Sequence, residues 1–337
     1  MRLRRAIAPV MISMALLAAP LGAQHNGGYA AKHPIFGGSC LTCPWGAMGD
    51  IVKAALKSSG WDVQVCYNCA GGPRAARMVA DAAMATTPQG PVDFGATSVE
   101  FLQWAYLGIH DFAKDPEGAR KNVRAIANIP TPTYFVAAAK ADSGITDLRQ
   151  IVEKRMPVKI LIRTGSGEPL MSAILDYYGL TAEKVKSFGG AVIPDYSRNM
   201  DVDVFLGFGT LSNAPEFAFL YDLPQRYDFK YLELATDLRA KLVKEFYLHE
   251  QNIPPGLARG VDRPIPTVAR IGTVIYGRTD MPDELAYTLA KAMDEHRELL
   301  EWTHLPFSYN SSMVWKAIDV PLHPGAARYY KEKGYMK

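Results

Sequence analysis

The strongest constraint on this chain is the order of its hydrophobic patterns. Short apolar strand signals alternate with amphipathic helix signals, and most strand signals run into a loop rich in glycine, serine or threonine. HPIFGG is a brief apolar run ending in glycines. AMGDIVKAALKSSG sets Met48, Ile51, Val52, Ala55 and Leu56 at helical spacing and stops at Gly60. WDVQVCY alternates as a strand does. GPRAARMVADAAMATT predicts a helix with Pro73 near its first turn, where a missing N–H costs little. VDFGATS and VEFLQWAYLG continue as strand and helix. This βαβαβ order argues for a parallel sheet with right-handed crossovers.

The same grammar restarts beyond NVRAIANIPTPTYFVAAAK, two β-like runs broken by PTP, where prolines suit a passage from one lobe to another. SGITDLRQIVEK opens a helix, PVKILIRTGSGEP is strand then glycine loop, LMSAILDYYGL is a helix closed by Gly179, and VDVFLGFGT is a buried strand with another glycine loop. RIGTVIYGRTD supplies a return strand before the amphipathic PDELAYTLAKAMDEHRELLEW. In open parallel sheets ligands bind beyond the carboxyl ends of strands. The loops that matter are therefore 37–49, 66–74, 95–99, 163–169 and 207–213, and two lobes offering such loops point to a cleft between them.

With 337 residues, 48% of them hydrophobic, the chain is long enough for two lobes. MRLRR followed by AIAPVMISMALLAAP and LGA predicts a secretory signal peptide cut after about Ala23; its apolar core is short for a membrane span. Removing it leaves 34 basic and 34 acidic side chains. No basic stripe suggests a nucleic-acid partner. Catalytic signatures are weak. LHEQN lacks the second histidine of H-E-x-x-H, TGSGE is not G-x-S-x-G, and GFGTLS is not a dinucleotide fingerprint.

The four cysteines form two C-x-x-C pairs, Cys40 with Cys43 and Cys66 with Cys69. Three readings stand. Oxidation to disulfides suits an exported chain. Four thiolates suit zinc or iron, with tetrahedral sulfur coordination for zinc. Redox work follows from the lowered thiol pKa of such motifs. Four cysteines allow three pairings, and spacing does not choose among them. Around them lie the candidate solute ligands. Arg163 ends a strand, where a guanidinium can hold a carboxylate through two parallel hydrogen bonds; the alternative is a surface arginine paired with an acid. Arg74 can face an anion from a helix start, whereas Arg77 suits a solvated face. Gly71, Gly72, Gly167 and Gly209 allow close approach of a ligand to backbone. Ser39, Thr42, Thr97, Ser98, Thr164 and Ser166 offer hydroxyls, with ordinary turn chemistry as the alternative. Trp45 and Phe208 can pack on a solute or simply in a core.

Several stretches, in order, resemble TAXI-type solute receptors over nearly all of the chain beyond its leader: CAGGPRAARMVADAAMA with VDFGATSVEFLQWAYLG, NVRAIANIPTPTYFVAAAKADSGITDLRQI, RTGSGEP, IPTVARIGTVIYGRTDMPDELAYTLAKAM and PLHPGAARYYKEKGY. The resemblance implies an α/β, type II-like periplasmic binding protein fold with two doubly wound lobes joined by hinge strands. Residues 1–23 are then the leader, 24–136 with 272–337 lobe I, and 137–271 lobe II. It also implies a monomeric, non-enzymatic periplasmic receptor without a cofactor, which passes a small organic acid or amino acid to the membrane subunits of a tripartite ATP-independent (TRAP) transporter. The cysteine loops then follow neighbouring parallel strands ~4.8 Å apart, which makes a bridge between the loops natural for a bond spanning ~4.4–6.8 Å between Cα atoms. The chain departs from the family where a glycine- and threonine-rich run ending in Tyr-Tyr-Pro is usual: it has Ser39-Cys40-Leu41-Thr42-Cys43-Pro44-Trp45, and Ala70 replaces the usual threonine.

Overall fold

A computed structural model describes residues 27–69, 71–81, 86–87, 90–163, 168–210, 212, 214–301, 308–317 and 319–337. The leader, Thr164, Ser166 and Gly167 lie outside the described residues. The first unit runs α1 (Gly27–Ala30), β1 (Ile35–Gly37), α2 (Pro44–Lys57), β2 (Gln64–Val65), α3 (Gly72–Ala80), a small hairpin of β3 (Thr86–Thr87) and β4 (Gly90–Pro91), β5 (Phe94–Ser98) and α4 (Val99–Leu107). The long strand β6 (Val123–Lys140) leads away from it. The second unit holds α5 (Arg149–Glu153), β7 (Lys159–Arg163), α6 (Glu168–Tyr178), α7 (Ala182–Ser187), β8 (Ala191–Ile193), β9 (Val204–Gly209), α8 (Phe219–Arg226), β10 (Phe229–Leu232), α9 (Thr236–Phe246) and β11 (His249–Ile253). A second long strand, β12 (Ile265–Arg278), returns to α10 (Asp283–Glu295), α11 (Glu298–Glu301) and α12 (Pro324–Glu332).

The two units are the lobes of a mixed α/β fold with one strand order repeated. Lobe I reads β2-β1-β5-β12-β6 and lobe II reads β8-β7-β9-β6-β10. In each, three parallel strands are followed by one antiparallel strand. The antiparallel members are β12 and β6, and these pair with each other from Val123–Arg278 to Tyr134–Ala269. Tyr134 marks the crossing, because it also faces Gly209 of β9. PTP does not break β6. The chain passes through it as one 18-residue strand, and the register with β12 shifts between Arg270 and Gly272, opposite Thr133 and Pro130. A bulge is where a sheet accepts a residue without an N–H.

Each lobe fills its interior as the periodicity predicts. Lobe I packs Phe36, Met48, Val52, Phe94 and Ile275 against Leu285, Met293 and Tyr330 of the C-terminal helices. One face of lobe II holds Val136, Leu161, Phe205 and Phe219. A third cluster crosses between them, setting Phe101 and Trp104 of α4 against Phe135, Leu206 and Phe208. Trp104 Nε1 donates to the Phe246 carbonyl at 3.3 Å, and His110 stacks on the Phe246 ring. Among the described residues, no helix is long and apolar enough to cross a membrane.

Gly38, just past β1, has a positive φ of 82°, and a Cβ there would run into the Ala96 carbonyl oxygen of β5. Gly38→Ala adds left-handed strain to a backbone collision, so a loss of about 3 kcal/mol is expected from chemical denaturation.

Candidate functional site

The lobes meet around Arg270, the first residue of β12 beyond the crossing. Its guanidinium lies between two rings, with the Phe101 ring of lobe I at 4.7 Å and the Phe208 ring of lobe II at 4.2 Å. Arg270 Nε stands 2.8 Å from Glu100 Oε1, yet neither atom makes an aligned hydrogen bond, and Arg270 Nη2 has no partner among the described residues. Burying a guanidinium with an open N–H costs free energy unless a ligand or water completes it. Glu100 is 2% exposed. Burial pushes its carboxyl up to about 6, against the pull of Arg270, its own backbone N–H and the Ser98 hydroxyl.

A carboxylate and a second guanidinium complete the charged group. Glu216 sits on the short turn Pro215–Phe217 of lobe II. Burial pushes its carboxyl up to about 7, while Arg270 and Arg163 draw it down. Arg163 ends β7 and donates from Nη1 to the Pro194 carbonyl at 3.2 Å; its Nε is buried without a partner among the described residues. Two guanidiniums and two carboxylates thus act on one another through space, and each arginine keeps a buried N–H without a partner among the described residues.

Several residues of the loops that sequence reasoning singled out hold the protein's own structure together. Ser39 donates to the Trp45 carbonyl at 3.1 Å and Thr97 donates to the Gly72 carbonyl at 3.2 Å. Both hydroxyls fix the first turns of α2 and α3 against strand ends. Ser98 is the N-cap of α4. Trp45 donates from Nε1 to Thr273 Oγ1 at 3.2 Å, and its indole fills the space a Cβ on Gly71 would need. Gly72 opens α3 with φ 68°. Gly209 likewise makes room for Leu220 of α8, so packing within the protein already accounts for a glycine at Gly71 and at Gly209. Arg74 is exposed and lines a separate groove with Arg77, Met78 and Arg120. Arg77 does not simply face solvent: it pairs with Asp115 at 2.7 Å.

Both cysteine pairs are disulfides, Cys40–Cys43 and Cys66–Cys69, with Cα atoms 5.5 and 5.4 Å apart. The bridge between loops that the strand geometry favoured is not the one formed. Each motif closes on itself, and the loops are instead joined by backbone, through a β-bridge from Cys40 to Asn68. As disulfides the four sulfurs are not thiolate ligands for zinc or iron, and no group of three or more potential metal ligands occurs among the described residues. Thr42, between the first two cysteines, is exposed, and its carbonyl accepts from the Glu216 N–H of lobe II at 3.3 Å. A groove of about 320 Å³ opens there, walled by Cys40 to Pro44, Asp50 and Tyr67 on one side and by Ala214 and Pro215 on the other.

Sequence reasoning missed Arg270, Glu100, Phe101 and Glu216. The first two carried a signal: Arg270 is a charge within the apolar strand pattern IPTVARIGTVIYG, and Glu100 is the one charge in the mostly apolar helix VEFLQWAYL.

Glu216 titrates from an ordinary value of 4.5 to about 7 in the folded chain. The folded state then holds the extra proton, so stability falls as pH rises through that window and levels off above it. Thermal midpoints are expected to drop between about pH 5 and about pH 8, and Glu216→Gln is expected to flatten the upper part of that slope.

Comparison with solved structures returns a periplasmic transporter at 12% identity and TM-score 0.46, covering 90% of this chain and 93% of the other. It also returns a TctC solute binding protein from Polaromonas at 13% identity and TM-score 0.44, covering 90% and 98%. MatC from Rhodopseudomonas palustris with bound malate matches at 12% identity and TM-score 0.44, covering 81% and 85%. Residues 45–334 match the model of the NMT1-like family, which takes in nearly all of the described fold. The chain belongs to the NMT1-like family.

Proposed function

We propose that this protein is an exported solute receptor that closes two lobes on a small carboxylate-bearing molecule. The observation that carries this reading is that buried N–H groups of Arg270 and Arg163, near the junction of the lobes, have no partner among the described residues. A carboxylate placed there takes aligned, charge-assisted hydrogen bonds, the strongest kind available to it. The aromatic faces of Phe101 and Phe208 hold the guanidinium flat. Glu216 is the internal competitor: ionised, it occupies the attraction of both arginines, and protonated, it releases them.

Export rests on the leader sequence, and periplasmic location follows from it. Delivery to the membrane subunits of a TRAP transporter of the TAXI type rests on the motif order from Cys69 to the C-terminal PLHPGAARYYKEKGY. Closure on solute changes the outer surface and so gives membrane subunits a loaded state to recognise. The receptor acts as a monomer, requires no cofactor and performs no chemistry on its solute.

Calorimetry and thermal shift against organic acids and amino acids test the reading. A true solute at 100 times its Kd adds about 2.7 kcal/mol of stability. Carboxylates are expected to bind more tightly at about pH 6 than at about pH 8, because protonation of Glu216 removes the competitor. Arg163→Gln, at a half-buried position, is expected to fold and to weaken binding by at least about tenfold. Failure of every carboxylate to stabilise the protein sinks the proposal.

A further inference from the structure

Several observations converge on the loop joining β1 to α2. Cys40 and Cys43 are bonded across two residues. Cys40 is half-buried, and Leu41 beside it is 79% exposed. Both cysteines line the groove that opens between the lobes. Cys43 is the N-cap of the 14-residue helix α2, whose aligned peptide dipoles favour negative charge at that end. Thr42, inside the disulfide ring, carries the carbonyl that accepts from Glu216 of lobe II. The second disulfide differs in each respect that matters for attack. Cys66 and Cys69 are 5% and 1% exposed and packed among Val79, Val92 and Leu102.

We propose that Cys40–Cys43 is a thiol–disulfide exchange site for dithiol reductants, and that opening it frees the contact between the lobes at Thr42. A reductant thiolate attacks Sγ of Cys40, the more open sulfur. The S–S bond breaks, its electron pair leaves on Cys43 Sγ, and a mixed disulfide joins the reductant to Cys40. Departure is favoured because the Cys43 thiolate forms at the positive end of α2. The second thiolate of the reductant then attacks the reductant's own sulfur in the mixed disulfide, releasing Cys40 and leaving as a cyclic disulfide. The protein gains two electrons and two protons, and the dithiol loses them. The four-residue ring that fixed the Thr42 carbonyl is then an open loop. This chemistry does not depend on the identity of any solute.

The test uses the full oxidised chain without solute. The protein is exposed to graded dithiothreitol, alkylated with iodoacetamide, digested and mapped, with far-UV circular dichroism recorded in parallel. Cys40 and Cys43 are expected to label about tenfold or more faster than Cys66 and Cys69, in protein that remains folded. Hydrogen exchange at the Glu216 amide is expected to rise on reduction. The Cys40→Ser/Cys43→Ser double variant is expected to take no label under the same conditions and to show the fast Glu216 exchange without reductant. Equal labelling of the two pairs, earlier labelling of Cys66 and Cys69, or labelling only after unfolding overturns the exchange site. Unchanged exchange at the Glu216 amide in labelled protein, or slow exchange in the double variant, overturns the link to the lobes.

Discussion

The antiparallel pairing of β6 with β12 is the interaction on which the rest of the molecule depends. Each strand serves as the antiparallel member of one lobe and then continues into the other. Lobe I lacks a complete sheet without β12, and lobe II lacks one without β6. The hydrogen bonds that build each lobe also fix where the lobes cross, so the position of Arg270 follows directly from sheet register. A slip of one residue along β12 turns its side chains to the opposite face and takes the guanidinium out from between Phe101 and Phe208.

Much of this architecture was legible in the sequence because its signals are local. Helices α2, α4 and α6 have apolar residues at helical spacing and glycine or proline near their ends, and each forms where the pattern puts it, whereas the single helix predicted over PDELAYTLAKAMDEHRELLEW ends at Glu295 and is followed by the separate α11. The repeated strand–loop–helix grammar corresponds to a real repeat of strand order. What was hidden is short or polar. β8 spans three residues, too few for periodicity to register. β11 is His249–Ile253, exposed at three consecutive positions, and carries no apolar alternation at all. The bulge opposite Pro130 lets one strand run through a sequence that looks like a break.

The site was legible in outline and less so in its parts. Arg163 was found from its place at the end of β7, where parallel-sheet topology puts ligand-binding loops. Composition alone does not distinguish a hydroxyl that binds ligand from one that ties a loop, and Ser39 and Thr97 are engaged within the protein. Glycine is equally ambiguous: Gly71 and Gly209 are small because Trp45 and Leu220 occupy the space beside them. The cysteine pairing depended on whether each loop could turn back on itself, which spacing left open. The central group, Arg270, became informative only as an exception, a full charge at a position whose neighbours are all apolar.

The sandwich around Arg270 has one more consequence. One ring belongs to each lobe, so any swing that parts the lobes must peel an aromatic face from the cation and let water reach it. On the proposed reading, closing the molecule is a dehydration step at a single charged group. A solute caught inside would have to replace the hydrogen bonds that water gives up, and hydrocarbon surface has none to offer.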